Sequence, residues 1–239
     1  MLITFEGLPG AGKTTQAALL ADCLRHNGHT VTTLPDLATL DTEPIAATLI
    51  TLLSATGDPY LRSGDAITDT LLSAAIRADL VATILDPALT TTPGAVVIED
   101  RGIHTMASYA IASLLRDHRA PIDIALGWVQ ALSTLTGPRP THALWLRIPP
   151  PLAAHRAAAR AAASPTTAHR PEHQAYLNRV HHAYQLLTEH DPQLTALDVA
   201  NLDPHHTHNA IHHALRRHSR TAQLGLTDCA SRHRTGNCP

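Results

Sequence analysis

The chain is predicted to be an α/β protein with a five-stranded parallel sheet and helices on both of its faces. Three observations lead there. Short apolar runs alternate with longer stretches of helical periodicity, the order that builds strand–helix–strand units. The runs Ala95-Val96-Val97-Ile98 and Ala143-Leu144-Trp145-Leu146 are continuously apolar, as strands covered on both faces are. The stretch Gly7-Leu8-Pro9-Gly10-Ala11-Gly12-Lys13-Thr14 fits the pattern G-x-x-x-x-G-K-[ST] between a strand and a helix.

Taken in order, Leu2–Phe5 reads as the first strand. A helix follows over Thr15–His26, with Ala18, Leu19, Ala21 and Leu24 at helical spacing, and Gly28 ends it. Thr30–Leu34 is a second strand, closed by Pro35-Asp36. Ile45–Leu53 reads as a helix and Gly57-Asp58-Pro59 as a loop. Asp65–Leu85 reads as one long helix, with Leu71, Leu72, Ala75, Leu80 and Ile84 on or near one face. Gly94 opens the strand Ala95–Glu99, and Asp100-Arg101 stands at its carboxyl end. Helices are expected over His104–Asp117 and Pro121–Leu135, then a strand over Thr141–Arg147 and an Ala/Arg helix over Leu152–Ala162. Ser164–Pro171 is a polar loop. Glu172–His190 is helical, Leu194–Val199 is the last strand and Pro204–His218 the last helix. Apolar periodicity ends at Ser219, so a domain is expected over 1–218 and a poorly ordered tail over 219–239.

Composition bounds the rest. A chain of 239 residues can bury a sizeable core, but only 3% of it is aromatic, so Ala, Leu, Ile and Val must build that core. A net charge of −2 offers no bulk attraction to nucleic acid. No apolar run is long enough to span a membrane. The N-terminus runs straight into the first strand, and the three cysteines show no framework of even spacing, so a reducing, cytoplasmic setting is expected. Cys23 reads as a small buried apolar residue. Five histidines (His205, His206, His208, His212 and His213) crowd the last helix. His208 and His212 have the i, i+4 spacing of metal ligands, but in a chain with 18 histidines they are expected to be exposed side chains. Cys229, His233 and Cys238 form an incomplete zinc set.

The chemistry concentrates on Gly7 to Thr15. Glycines let the backbone curl so that successive N–H groups point at phosphate oxygens, so Gly7, Pro9, Gly10, Ala11, Gly12 and Thr15 are read as nucleotide-binding. Lys13, the chain's only lysine, would reach the β- and γ-phosphates, and the Thr14 hydroxyl would sit on Mg²⁺. The following helix presents its positive end to the same anion. Ligands of such sheets bind beyond the carboxyl ends of the strands. Asp36, Asp100, Arg101 and the residues after Ile148 fall on that edge. Asp36 is placed like an acid of an acceptor site, and equally like a turn residue.

These motifs resemble the thymidylate kinases among the P-loop nucleoside monophosphate kinases, over most of residues 1–215. Phe5-Glu6-Gly7 through Gln16 is similar to that family's phosphate loop, and Asp100-Arg101 to its Asp-Arg-Tyr/His motif. Pro140–Leu146 with Pro149–Arg156 resembles the segment leading into the family's lid, and Tyr176-Leu177-Asn178-Arg179-Val180 the helix after it. The resemblance implies the nucleoside monophosphate kinase fold with a short lid at about 163–172, ATP and Mg²⁺ as cofactors, a small-molecule phosphate acceptor and a homodimer. It gives Asp100 to Mg²⁺ or to the acceptor, and Arg101 to the acceptor's phosphate. The alternative for Arg101 is a structural ion pair with Glu99 or Asp100. Arg77 falls where the family reads the base edge. Thr105, Met106 and Ala110 stand at the family's polar base-reading positions as departures from it, and Tyr109 matches; Thr105 and Tyr109 are kept as acceptor-site candidates. Arg156, Arg160 and Arg170 are candidates for lid cations, or for solvated surface.

The departures are specific. Ser73 stands where the family stacks a Phe on the base, and Thr33-Leu34-Pro35-Asp36 carries neither the Arg nor the Gly pair usual there. Gly102 replaces an aromatic or His. The expected function is therefore ATP- and Mg²⁺-dependent phosphorylation of a nucleoside monophosphate or a related phosphorylated acceptor, with dTMP a poor substrate. Two alternatives stay open: a kinase acting on a metabolite hydroxyl, and an ATP-binding regulatory protein.

Overall fold

A computed structural model describes residues 1–34, 44–58, 60, 62, 64–161, 171–218, 220–224 and 226. Five strands form one parallel sheet: β1 Leu2–Glu6, β2 Val31–Leu34, β3 Val96–Asp100, β4 His142–Arg147 and β5 Leu194–Asp198. Their spatial order is β2-β3-β1-β4-β5, so β1 is central. Every residue of β1 and β3 is buried, which is why both read as continuous apolar runs broken only by Thr4, Glu6, Glu99 and Asp100. Phe5 is the register partner of Asp100, so the loop leaving β1 starts beside the residue that ends β3.

The helices are α1 Lys13–His26, α2 Pro44–Ser54, α3 Ala66–Leu80, α4 Asp86–Thr91, α5 Ile103–Asp117, α6 Ile122–Leu135, α7 Pro150–Ala161, α8 Pro171–His190 and α9 Pro204–Arg217. Asp65 caps α3, its carboxylate accepting from the Thr68 N–H at 2.7 Å. The single long helix expected over Asp65–Leu85 does not run as one regular helix. It passes through a π-helical turn, Val81–Leu85, and goes on as α4. Pro87 explains the change of pitch: it has no N–H for the carbonyl four residues back, and the widened turn ends just before it.

The main apolar cluster joins Ile3, Phe5, Leu20, Leu24, Ile98, Leu144 and Leu146 to Trp145, Tyr176 and Tyr184. Aliphatic side chains fill most of it, as the composition requires, but Trp145, Tyr176 and Tyr184 are among its largest fully buried members. The chain stays packed past Arg217. Ala222–Leu224 form a 3₁₀ turn, and Thr221, Leu224 and Leu226 are buried, so the core extends beyond the expected boundary at 218. Two further expectations are corrected. His208 and His212 are buried rather than exposed. Cys23 is buried as expected but is disulfide-bonded. Among the described residues no helix is long and apolar enough to cross a membrane.

Candidate functional site

The loop between β1 and α1 is built by positive-φ glycines. Gly7, Gly10 and Gly12 have φ of 131°, 82° and 91°. A Cβ on Gly7 would lie 2.7 Å from the Leu146 carbonyl oxygen, and one on Gly10 2.8 Å from the Arg156 Cβ, so neighbouring backbone and side chain leave room only for glycine. Gly12 is the N-cap of α1 and brings no side chain to its first turn, which leaves the turn's N–H groups to an external anion.

Lys13 is buried, and its ammonium donates to the carbonyls of Gly7 and Leu8, both at 3.0 Å. The cation therefore sits inside the curl of its own loop. Thr14 Oγ1 donates to Asp100 Oδ2 at 2.5 Å. The two residues expected at a magnesium ion are thus neighbours, brought together by the β1–β3 register. A hydroxyl and a carboxylate are hard oxygen donors of the kind Mg²⁺ takes, so the set fits that ion.

Arg101 has φ of 70°, in the left-handed region, with its N–H held by the Phe5 carbonyl at 3.0 Å. A non-glycine residue there costs about 1–3 kcal/mol and persists only where its surroundings fix it. Gly102 follows for steric reasons. A Cβ there would lie 2.7 Å from Glu6 Oε1 and 2.8 Å from Thr4 Cβ.

Glu6 ties the loop to α5. It accepts from Thr4 Oγ1 at 2.8 Å, the Thr105 N–H at 2.9 Å and Thr105 Oγ1 at 2.6 Å. Because a carboxylate only accepts, Thr105 must donate to it, so the Tyr184 hydroxyl donates to Thr105 at 2.8 Å. Tyr184 in turn accepts from the Gly7 N–H at 3.0 Å. His104 lies between Asp191 (Nε2 to Oδ2, 2.9 Å) and Glu6 (Nδ1 to Oε1, 3.6 Å). Burial alone would lower its pKa, but the two carboxylates push it up to about 9. Burial would raise Glu6, and His104, Thr105 and Thr4 hold it below the ordinary carboxylate value.

Beside Pro9 and Arg101 opens a cavity with about 920 Å³ of empty space, its mouth included. Ser73, Thr105 and Tyr109, all expected at the acceptor, line it. Tyr60 and Tyr176 line it too, and nothing in the sequence marked either as a ligand contact. The Tyr60 ring centroid lies 5.6 Å from that of Tyr176 and 6.5 Å from that of Tyr109. Arg62 lies over the Tyr176 ring at 4.2 Å and is paired with Asp58. Their one signal was an aromatic-poor chain whose few rings come from separate elements.

Arg77 is corrected. It is 1% exposed, forms a buried ion pair with Glu99, and does not line the cavity. Glu99, one of the two acids weighed as a structural partner for Arg101, is paired with Arg77, the arginine expected at the base edge. Burial raises the Glu99 pKa against the pull of Arg77. Arg156 packs on the phosphate loop, with Nη1 3.3 Å from the Gly10 carbonyl oxygen. Thr15 is exposed at the start of α1. Asp36, Arg170 and the side chain of Arg160 lie outside the described residues, as does most of the expected lid.

The sequence model of the family described as thymidylate kinase matches residues 5–211 of this chain. The chain is similar to the thymidylate kinase of Thermomicrobium roseum, 32% identical over 216 residues that cover 87% of this chain and 91% of that one. It is similar to that of a Synechococcus species, 33% identical over 81% of this chain and 83% of the relative. In structure it resembles the thymidylate kinase of Candida albicans, with a TM-score of 0.65 at 21% identity over 90% of this chain and 91% of that chain.

Proposed function

The chain belongs to the thymidylate kinase family and is an ATP- and Mg²⁺-dependent nucleoside monophosphate kinase, and from there we propose that its acceptor is a pyrimidine nucleoside monophosphate, dTMP included. The observation that carries this reading is the cavity in which Tyr60, Tyr109 and Tyr176 meet Arg101 beside the phosphate loop. The expectation that dTMP is a poor substrate rested on one stacking ring lost at Ser73. Three tyrosine rings supply that apolar surface from other elements, and the premise falls away.

The roles follow from placement. The loop N–H groups and the α1 N-terminus take the β-phosphate of ATP. Lys13 leaves the carbonyls of Gly7 and Leu8 when phosphate oxygens offer it a charged partner, and follows the γ-phosphoryl. Thr14 and Asp100 would hold Mg²⁺, which when bound neutralises charge shared between the β- and γ-oxygens. Arg101 holds the acceptor phosphate in line, its side chain aimed by the fixed left-handed backbone. Arg156 supports the Gly10 turn, and Arg160 and Arg170 would complete the positive surround from the lid.

Base selection is loose in this reading. Arg77, committed to Glu99, is not available to demand a carbonyl at the base edge. The cavity instead offers the Ser73 and Ser113 hydroxyls, which can donate or accept. Such groups fit a 4-oxo and a 4-amino pyrimidine alike. Steady-state kinetics with ATP-Mg²⁺ and dTMP, dUMP, dCMP, dAMP and dGMP test this. The three pyrimidines should fall within roughly tenfold of one another in kcat/KM, because less than about 1.4 kcal/mol separates them. A purine monophosphate as best substrate, or discrimination among pyrimidines of roughly a thousandfold or more, rejects the proposal.

A further inference from the structure

A closed circuit of buried hydrogen bonds joins the phosphate loop to the acceptor cavity. The Gly7 N–H, where the loop starts, donates to the Tyr184 hydroxyl at 3.0 Å. That hydroxyl meets Thr105 Oγ1 at 2.8 Å, and Thr105 Oγ1 meets Glu6 Oε2 at 2.6 Å. Glu6 precedes Gly7 in the chain, which closes the circuit. Glu6, Thr105 and Tyr184 are all buried. Thr105 lines the acceptor cavity, and Tyr184, on α8, stands behind it without lining it.

The chemistry fixes the direction of each bond. A backbone N–H only donates, and a carboxylate only accepts. Against the pull of burial, His104, Thr105 and Thr4 keep Glu6 ionised. Burial and the Glu6 charge raise the Tyr184 pKa, so the phenol keeps the proton it donates. The protons therefore point one way, from Gly7 to Tyr184, from Tyr184 to Thr105, and from Thr105 to Glu6. Bonds set head to tail in this way polarise one another.

Packing holds the phenol in place. The Tyr184 ring stacks on Trp145, with centroids 5.2 Å apart and planes 13° from parallel. Trp145 in turn lies against the loop, its Cδ1 3.4 Å from where a Cβ on Gly7 would stand.

We propose that Tyr184 is a positioning residue that couples the two substrates, so that nucleotide on the loop and acceptor against Thr105 tighten one another. The inference rests on the reading of the cavity as the acceptor site. An acceptor packed on Thr105 holds Oγ1 in place, and through Tyr184 it holds the Gly7 N–H. The first ligand to bind then orders the start of the loop for the second. By linkage the factor is the same in both directions.

Calorimetry on the full chain tests this, with Mg-ADP titrated in the presence and absence of saturating dTMP, and dTMP in the presence and absence of Mg-ADP. ADP is chosen because it lacks the γ-phosphoryl that would stand between the two ligands. In the native protein each ligand should tighten the other by about fivefold or more. Tyr184→Phe keeps the stack on Trp145 and loses both bonds, so the factor should fall to near one while dTMP alone binds as before. dTMP alone should slow hydrogen exchange of the Gly7 amide in the native protein and not in Tyr184→Phe. Thr105→Ser should keep the coupling and Thr105→Val should lose it, a pair that serves if Tyr184→Phe fails to fold. Val180→Ala, one turn earlier on α8 and also buried, should lower Tm and leave the coupling intact.

Native protein in which the two ligands bind independently overturns the proposal. So does native coupling in Tyr184→Phe, and so does equal loss in Val180→Ala, which would make the effect one of core stability. If dTMP does not bind, the acceptor reading is at fault and not Tyr184, and the coupling is measured with the monophosphate that the kinetic panel selects. Failure of every monophosphate to bind rejects both.

Discussion

Raising the pH from about 6 to about 9 should destabilise the protein by ~3 kcal/mol through His104 alone. His104 is 3% exposed and sits between Glu6 and Asp191, which push its pKa from 6.5 to about 9 in the folded chain. A folded pKa above the unfolded one gives stability that is complete below the unfolded value, about 6.5, and is lost as pH rises through about 9. Every tenfold gain in proton affinity on folding is worth about 1.4 kcal/mol, so a rise from 6.5 to about 9 gives ~3 kcal/mol. For a chain of this size that is a fall in Tm of roughly 6–12 °C. Urea unfolding followed by circular dichroism at a series of pH values reads it directly. His104→Gln should be less stable at neutral pH, because two carboxylates lose the cation between them, and its stability should be nearly flat from about pH 6.5 to 9. If native protein and variant lose stability in parallel across that window, His104 is not charged in the folded state and the assignment is wrong. Activity should fall over the same range, because Glu6 and Thr105 link His104 to the Gly7 turn and to the acceptor cavity.

Three substitutions test other parts of the site. Arg101→Ala should raise the KM for the acceptor and lower kcat with little change in ATP affinity; loss of ATP binding with an unchanged acceptor KM would put the side chain on the wrong substrate. Arg77→Met should cost ~3–5 kcal/mol by leaving the Glu99 carboxylate buried without its partner, yet leave the KM for dTMP near native; a large rise in that KM with unchanged Tm would restore Arg77 to the base edge. Gly102→Ala should cost ~1–3 kcal/mol in thermal unfolding, because its Cβ would press on Glu6 and Thr4; native stability would mean that the Glu6 carboxylate moves freely.

What the sequence made legible was whatever is local. Strand runs such as Val96–Ile98 and the loop from Gly7 to Thr14 state their structure within a few residues, and the nucleotide side of the site follows from them. What it hid depends on partners far along the chain. Arg77 leaves the acceptor side because Glu99, 22 residues on, captures it in the core. Tyr60 and Tyr176 reach one cavity from different elements, so no spacing announces them. Gly102 looks like a lost ring until Glu6, on the neighbouring strand, fills the space a Cβ would need. His208 and His212 read as exposed from the sequence, but α9 packs on α1 and buries both beside Cys23, far earlier in the chain.

Everything above turns on whether this phosphate loop hands a phosphoryl group to a nucleotide rather than to water or to a regulatory state. The decisive assay follows the label of γ-³²P ATP in the presence of dTMP and Mg²⁺, with products separated by chromatography. Label should appear in dTDP with the native protein. None should appear with Lys13→Ala, which should stay folded because it loses only the cation inside the loop. Label found only as inorganic phosphate, or dTDP formed as fast by the Lys13 variant, would overturn the kinase mechanism.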